Sequence, residues 1–292
     1  MRITRLVLLA VLLVAGCGQS VAGSPVPNSE AAKKSAERLY NQGISAISGY
    51  FTNVNNFRGS LFFYAAVNDR KSGSDIDVAM RGAPGEQYSL MTKHRSKTPP
   101  GYDYDVYSPA GSALDYVRLG KAYTSIAPTP WVSLPTISDG YVCAISGLQT
   151  LCKLVDALRA VDKAPPPGRI TTASRLPDGR TEVRTEITLK AFIDNRVIGM
   201  PADVAGLIEP EMMSKLVPLK IMLSSDGALQ GVEVKGAVQG TKSRVELEVG
   251  YEARGTAVPA DFPPQPQAGD VTALPDETAR SDFWKRMAAA QK

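Results

Sequence analysis

The sequence predicts an α+β fold, a mainly antiparallel sheet packed against helices. Three observations predict it. Segments of period-two alternation recur along most of the chain, a few longer segments show helical spacing, and Gly, Pro or Asp-Gly separates the strands at the short intervals of an antiparallel meander. With 43% of its 292 residues hydrophobic, the chain can bury a sizeable core.

The chain opens on Arg2 and Arg5, then an apolar run from Leu6 to Ala15 that ends in Val14-Ala15-Gly16-Cys17. A basic start, an apolar stretch of about ten residues and small residues before a cut describe an export signal, too short to span a bilayer. Residues 1–16 are therefore expected to be removed. Cys17 is expected to be lipidated and to become the new N-terminus. Residues 17–28 are small, polar and proline-containing, and read as a flexible tether of about 20 Å.

A single α+β domain is expected over 29–257, its two halves meeting near 164–168. Ser29 can cap a helix whose Ala32, Ala36, Leu39, Tyr40, Gly43, Ile44 and Ile47 form one stripe. Ser60 to Val67 is apolar on both faces and predicts a buried strand. In Asp75 to Met80, Ile76, Val78 and Met80 alternate with Asp75 and Asp77. Tyr102, Tyr104 and Val106 repeat the pattern against Asp103 and Asp105. Glu86 to Thr92, Tyr116 to Leu119 and Lys121 to Ile126 continue the strands, and Pro128, Pro130 and Pro135 bring them to a sheet edge.

A helix is predicted from about Ser146 to Val161 and is stopped by Ala164-Pro165-Pro166-Pro167-Gly168. Thr181 to Lys190 alternates again, Asp194 to Lys215 reads as helix broken by Pro201 and Pro210, and Asp226-Gly227 turns Val217–Leu223 into Ala228–Lys235. Ser243 to Tyr251 is the last predicted strand. Residues 258–292 read as a proline-rich tail with a short helix near its end, where Phe283, Trp284 and Met287 form an apolar patch.

Export makes an oxidising compartment the setting for Cys143 and Cys152. With Cys17 lipidated, these two are expected to form one disulfide, restricting the unfolded chain by roughly 2 to 3 kcal/mol. Their spacing is neither Cys-x-x-Cys nor accompanied by histidine, which gives no support to a redox or metal site. A net charge of +4, part of it in the leader, argues against nucleic acid as a partner.

Catalytic chemistry is sparse. The one histidine, His94, stands in Thr92-Lys93-His94-Arg95-Ser96-Lys97 and reads as a solvated loop residue. No nucleophile elbow, zinc-protease helix or phosphate loop occurs. The acid pairs Asp75/Asp77, Asp103/Asp105 and Glu246/Glu248 are what any solvated sheet face produces. No enzyme activity, cofactor or metal is expected.

The aromatics of the first strands admit two readings: they fill the core, the commoner fate, or they line an apolar groove that buries an acyl chain at roughly 0.8 kcal/mol per methylene. The candidate ligand-binding residues on the second reading are Phe62, Tyr64, Ile76, Val78, Met80, Tyr88 and Tyr104.

The motif Val14 to Cys17, the helix before the first strand, Tyr123-Thr124-Ser125 before Pro130-Trp131-Val132, the Leu223-to-Leu229 hairpin and the proline-rich end near Val258-Pro259-Ala260 together resemble the mycobacterial LppX/LprA/LprF/LprG lipoproteins, and more loosely the LolA/LolB-like carriers. The resemblance implies a half-barrel whose apolar cavity carries acylated lipids or glycolipids, held on the outer face of the cell membrane by the lipid on Cys17. The internal cysteine pair and the longer tail depart from that pattern. The alternative is an accessory lipoprotein that docks on an envelope enzyme or transporter, through a sheet face or the Phe283-Trp284 patch.

Overall fold

The computed structural model describes residues 29–53, 56–82, 87–136, 148–200 and 202–291. The export signal, Cys17, the tether and Cys143 lie outside the described residues.

Helix α1 (Ser29–Asn53) leads into six strands joined as successive antiparallel neighbours: β1 (Asn56–Val67), β2 (Arg70–Arg81), β3 (Ser89–Thr98), β4 (Tyr104–Ser108), β5 (Leu114–Leu119) and β6 (Trp131–Pro135). Helix α2 (Gln149–Lys163) ends where Pro165, Pro166 and Pro167 withdraw the amides another turn would need. A second meander follows: β7 (Thr172–Arg175), β8 (Thr181–Thr188), the short helices α3 (Leu189–Asp194) and α4 (Ala202–Ala205), then β9 (Leu216–Leu223), β10 (Leu229–Gln239) and β11 (Arg244–Ala253). The chain closes with β12 (Val271–Ala273) and α5 (Glu277–Ala290).

All twelve strands form one curved sheet in the order β12-β6-β5-β4-β3-β2-β1-β11-β10-β9-β8-β7. The two meanders join where β1 runs antiparallel to β11, with Leu61 opposite Tyr251 and Val67 opposite Val245. Among the described strands only β12 runs parallel to its neighbour, placing Val271 beside Trp131.

The period-two pattern sorts every strand into two faces. The inner face carries the helices. Tyr40, Ile47 and Tyr50 of α1 and Leu151, Leu154 and Leu158 of α2 pack there on Val183, Ile187, Leu219, Ile221, Val234 and Val249. The register carries this face across the sheet, through Val78, Thr92, Val106, Val117 and Val132. At the far end Phe283 and Met287 of α5 rest on Val117, Val132 and Leu134. The outer face of the second meander is charged, with cross-strand pairs such as Lys220–Glu233 at 2.7 Å and Lys235–Glu248 at 2.9 Å.

The segment expected as a tail is threaded around the sheet. After β11, Ala257 and Phe262 lie on the outer face against Ala79, Met91 and Tyr107. Gln265 donates to the Tyr116 hydroxyl at 3.1 Å, β12 then extends the sheet edge, and α5 returns to the inner face. Asp276 caps α5 by accepting from the Ala279 amide at 2.8 Å.

Two predicted elements differ. Lys121 to Ile126, expected as a strand, is a 3-10 turn at Lys121–Tyr123: Gly120 lies flush against the Asp103 carbonyl, where a Cβ would collide, and Tyr123 turns fully inward. The expected Asp194–Lys215 helix is displaced. Its helical turn begins at Leu189, where the Thr188 hydroxyl accepts from the Ala191 amide at 3.1 Å, and the described residues between Asn195 and Lys215 hold only α4 and a 3-10 turn at Pro210–Met212.

Candidate ligand-binding face

The inner face of β2, β3 and β4 lies between the two groups of helices. It bears Ile76, Val78 and Met80 on β2, Leu90, Thr92 and His94 on β3, and Tyr104 and Val106 on β4. The register explains why: Ile76 stands opposite His94, Val78 opposite Thr92 and Met80 opposite Leu90. All six are buried.

His94 is a correction to the sequence reading. It is only 5% exposed, not a solvated loop residue. Strand β3 runs on to Thr98, so Lys93, Arg95 and Lys97 point outward while Thr92, His94 and Ser96 point inward. The imidazole stacks on Tyr104 with ring centres 4.2 Å apart, and its Nε2 lies 3.2 Å from the Thr92 hydroxyl. Burial, helped by the charge of Arg95, pushes the imidazole down to about 3, so it stays neutral at ordinary pH. Tyr104 in turn makes an edge contact with Trp284 of α5 at 5.9 Å.

One end of this face is polar. Leu90 stands opposite Ser108, and on the adjacent strand the Asp115 carboxylate accepts from the Thr136 hydroxyl at 3.0 Å. Burial raises the Asp115 carboxyl above its ordinary range against the hydrogen bonds from Ser108 and Thr136 and the charge of Arg280. Tyr88 is raised by burial and by the Asp115 charge. Among the described residues no buried side-chain nitrogen or oxygen lacks a hydrogen-bond partner.

Of the seven candidate residues, the structure brings Ile76, Val78, Met80 and Tyr104 together on the inner face, and Tyr88 packs against the same core. It does not bring Phe62 and Tyr64 there. They point to the outer face of β1, opposite Gly250 and Gly73, and each ring covers the glycine across from it. A glycine in a strand leaves a gap that a neighbouring aromatic fills. The Tyr64 hydroxyl also bonds Asp75.

Asp115, Thr92 and His94 were missed by sequence reasoning. Polar residues at inward positions break the apolar alternation that would have announced them. The acid pairs, expected to belong to a solvated sheet face, do lie on the outer face, where Asp75 pairs with Lys97 at 3.0 Å, Asp77 with Arg254 at 3.2 Å, Asp105 with Arg95 at 2.6 Å and Glu248 with Lys235. Among the described residues no three His, Cys, Asp or Glu side chains are grouped to hold a metal ion. Cys152 lies in α2, and its expected partner Cys143 falls outside the described residues. The Phe283-Trp284 patch proposed for docking is turned inward, with Phe283 only 1% exposed.

No protein-family model matches the chain, and no curated protein matches it. Among solved structures it is similar to LprF from Mycobacterium bovis, at 11% identity over 77% of this chain and 94% of that one, with a TM-score of 0.32. A DUF1329 family protein from Desulfovibrio piger matches at 8% identity over 78% and 97% of the two chains, TM-score 0.26. A LolA superfamily protein from Nitrosomonas europaea matches at 10% over 77% and 95%, TM-score 0.23. These superpositions are loose, and the fold class rests on the sheet itself. No described helix is long and apolar enough to cross a membrane.

Proposed function

We propose that the chain is a cell-envelope lipoprotein, anchored through Cys17 on the outer face of the cell membrane, that binds or carries the acyl part of a lipid or glycolipid without a catalytic step. The observation that carries the reading is the inner face of β2–β4: Ile76, Val78, Met80 and Leu90 buried in the core, with Val106 half-buried beside them, an apolar layer that ends on the polar group of Asp115 and Thr136. An amphiphile has that same division, and each methylene placed there gains roughly 0.8 kcal/mol. The neutral His94 and Thr92 supply two polar atoms along the way.

On this reading residues 1–16 are the export signal, 17–28 the tether and 29–257 the binding domain, which the segment 258–292 completes by adding β12 to the sheet and α5 to its inner face. Cys143 and Cys152 form the disulfide that fixes the start of α2. Native mass spectrometry of the protein purified from membranes, followed by solvent extraction, tests the reading. A bound acyl species removed by extraction, and rebinding of added glycolipid, is the expected result. A chain that carries none and takes up none contradicts it.

A further inference from the structure

A concavity lies on the molecule away from the β2–β4 face. It has a volume of about 350 Å³, is open to solvent on one side, and is lined by α1, by the β7–β8 hairpin and by the turn between β9 and β10. In the sheet, β1, β11 and β10 intervene between β2 and β9, so this cavity is separate from the β2–β4 face.

Its walls are rich in donors. Arg38 and Gln42 stand one turn apart on α1, so both project to the same side, and Arg175 comes from the end of β7. Thr181 and Ser225 add hydroxyls, while Leu39 and Leu223 supply an apolar floor. Among the described residues neither Arg38 nor Arg175 pairs with a carboxylate, although Arg180 and Arg184 close by are both paired, with Asp178 at 2.7 Å and with Glu182. Among the described residues the only acid on the lining, Asp226, is engaged by its own turn: the Ser224 hydroxyl and the Ala228 amide both donate to it. The turn is also fixed from outside. Gly227 has a φ of +88°, and its missing Cβ leaves the space that the Gln42 amide occupies.

We propose that this cavity is an anion-binding site that takes a phosphate group, either free or in the headgroup of an anionic lipid. Two guanidinium groups present forked donors that match phosphate oxygens. The Gln42 amide and the Ser225 and Thr181 hydroxyls can donate to the remaining oxygens, and the leucine floor suits a carbon substituent such as glycerol. A volume of this size holds a glycerophosphate and not a whole diacyl lipid. The site does not depend on the acyl-binding reading.

The test uses the purified full chain, titrated calorimetrically at constant ionic strength with inorganic phosphate, glycerol 1-phosphate, dihexanoyl phosphatidylglycerol and dihexanoyl phosphatidylcholine. Arg38→Gln and Arg175→Gln are compared with wild type. Both side chains are exposed, so the variants keep their fold, which circular dichroism checks. Saturable binding of phosphate or glycerol phosphate, weakened about tenfold by either substitution, supports the site with a free phosphate as ligand. Binding confined to phosphatidylglycerol, with the same loss in the variants, supports it with a lipid headgroup as ligand. Absence of saturable binding by every probe, equal binding of the zwitterionic phosphatidylcholine, or unchanged binding in both variants overturns the proposal.

Discussion

The Tyr251 hydroxyl donates to the Tyr50 hydroxyl across 2.7 Å, tying the strand that joins the two meanders to the C-terminal half of α1. Tyr251 is only 2% exposed, and its ring crosses the inner face above Gly59 on β1, where a Cβ would collide with it. Burial raises the Tyr251 phenol far above its ordinary range, with the neighbouring Tyr50 adding to the effect, so the proton stays on the oxygen and the bond persists at any pH the fold tolerates.

Gly59→Ala is expected to cost about 1 to 3 kcal/mol, because the new methyl overpacks the Tyr251 ring. Tyr251→Phe removes only the hydroxyl contact and costs about 1 kcal/mol. In a Tyr251→Val background Gly59→Ala adds little, since the colliding ring atoms are gone. Urea midpoints for the cycle check the coupling, and fully additive costs would count against this packing.

His94 gives a pH dependence whose sign follows from its burial. Folded, it titrates near pH 3; unfolded, near pH 6.5. Between these values the unfolded chain holds the extra proton, so stability from this group is complete above pH 6.5 and falls as pH drops toward 3, by at most about 1.4 kcal/mol per pH unit. His94→Phe keeps a ring against Tyr104 and removes that slope. In thermal melts from pH 7 to pH 4 the wild type is expected to lose stability relative to His94→Phe as the pH falls.

Arg169 joins the two halves of the chain just beyond the proline run. Its guanidinium donates to Asp162 at 2.6 Å, to the Tyr40 hydroxyl at 3.0 Å and to the Glu186 carbonyl at 3.0 Å, with its side chain only 9% exposed. Lysine cannot reproduce this three-way fork. Arg169→Lys is expected to destabilise by about 1 to 3 kcal/mol, less than Arg169→Met, which leaves Asp162 without its cation. Denaturant unfolding measures both.

Helix α5 is held by Phe283 and Met287 in the core, by Arg286 donating to the Ile126 carbonyl at 3.1 Å and by Gln291 donating to Tyr123. Phe283→Ala is expected to cost about 3 kcal/mol and to release the helix locally. Trp284 emission shifts to longer wavelength and amide exchange rises in 277–290, while β7–β11 keep their protection.

Much of this architecture is legible in the sequence because it is written in local period. Ile76, Val78 and Met80 against Asp75 and Asp77, Val183 to Leu189, and the Asp226-Gly227 turn each predict their own face or bend. What is hidden depends on distant partners. Lys121 to Ile126 alternates like a strand, yet Gly120 is pinned to Asp103 and Tyr123 is drawn under α5. His94 looks solvated among Lys93, Arg95 and Lys97, because their outward pairs with Asp105 and Asp75 cannot be read without register. Phe62 and Tyr64 look like groove aromatics, but parity alone sends them to the outer face, opposite glycines one strand away.

The central claim is that acyl chains bind the inner face of β2–β4, and photo-cross-linking tests it most directly. The full chain is loaded with a diazirine-bearing fatty acid, irradiated and mapped by peptide mass spectrometry. Adducts are predicted on Ile76, Val78, Met80, Leu90 and Tyr104, competed by unlabelled lipid. Adducts on Phe62 and Tyr64, or labelling that unlabelled lipid does not reduce, would contradict the claim.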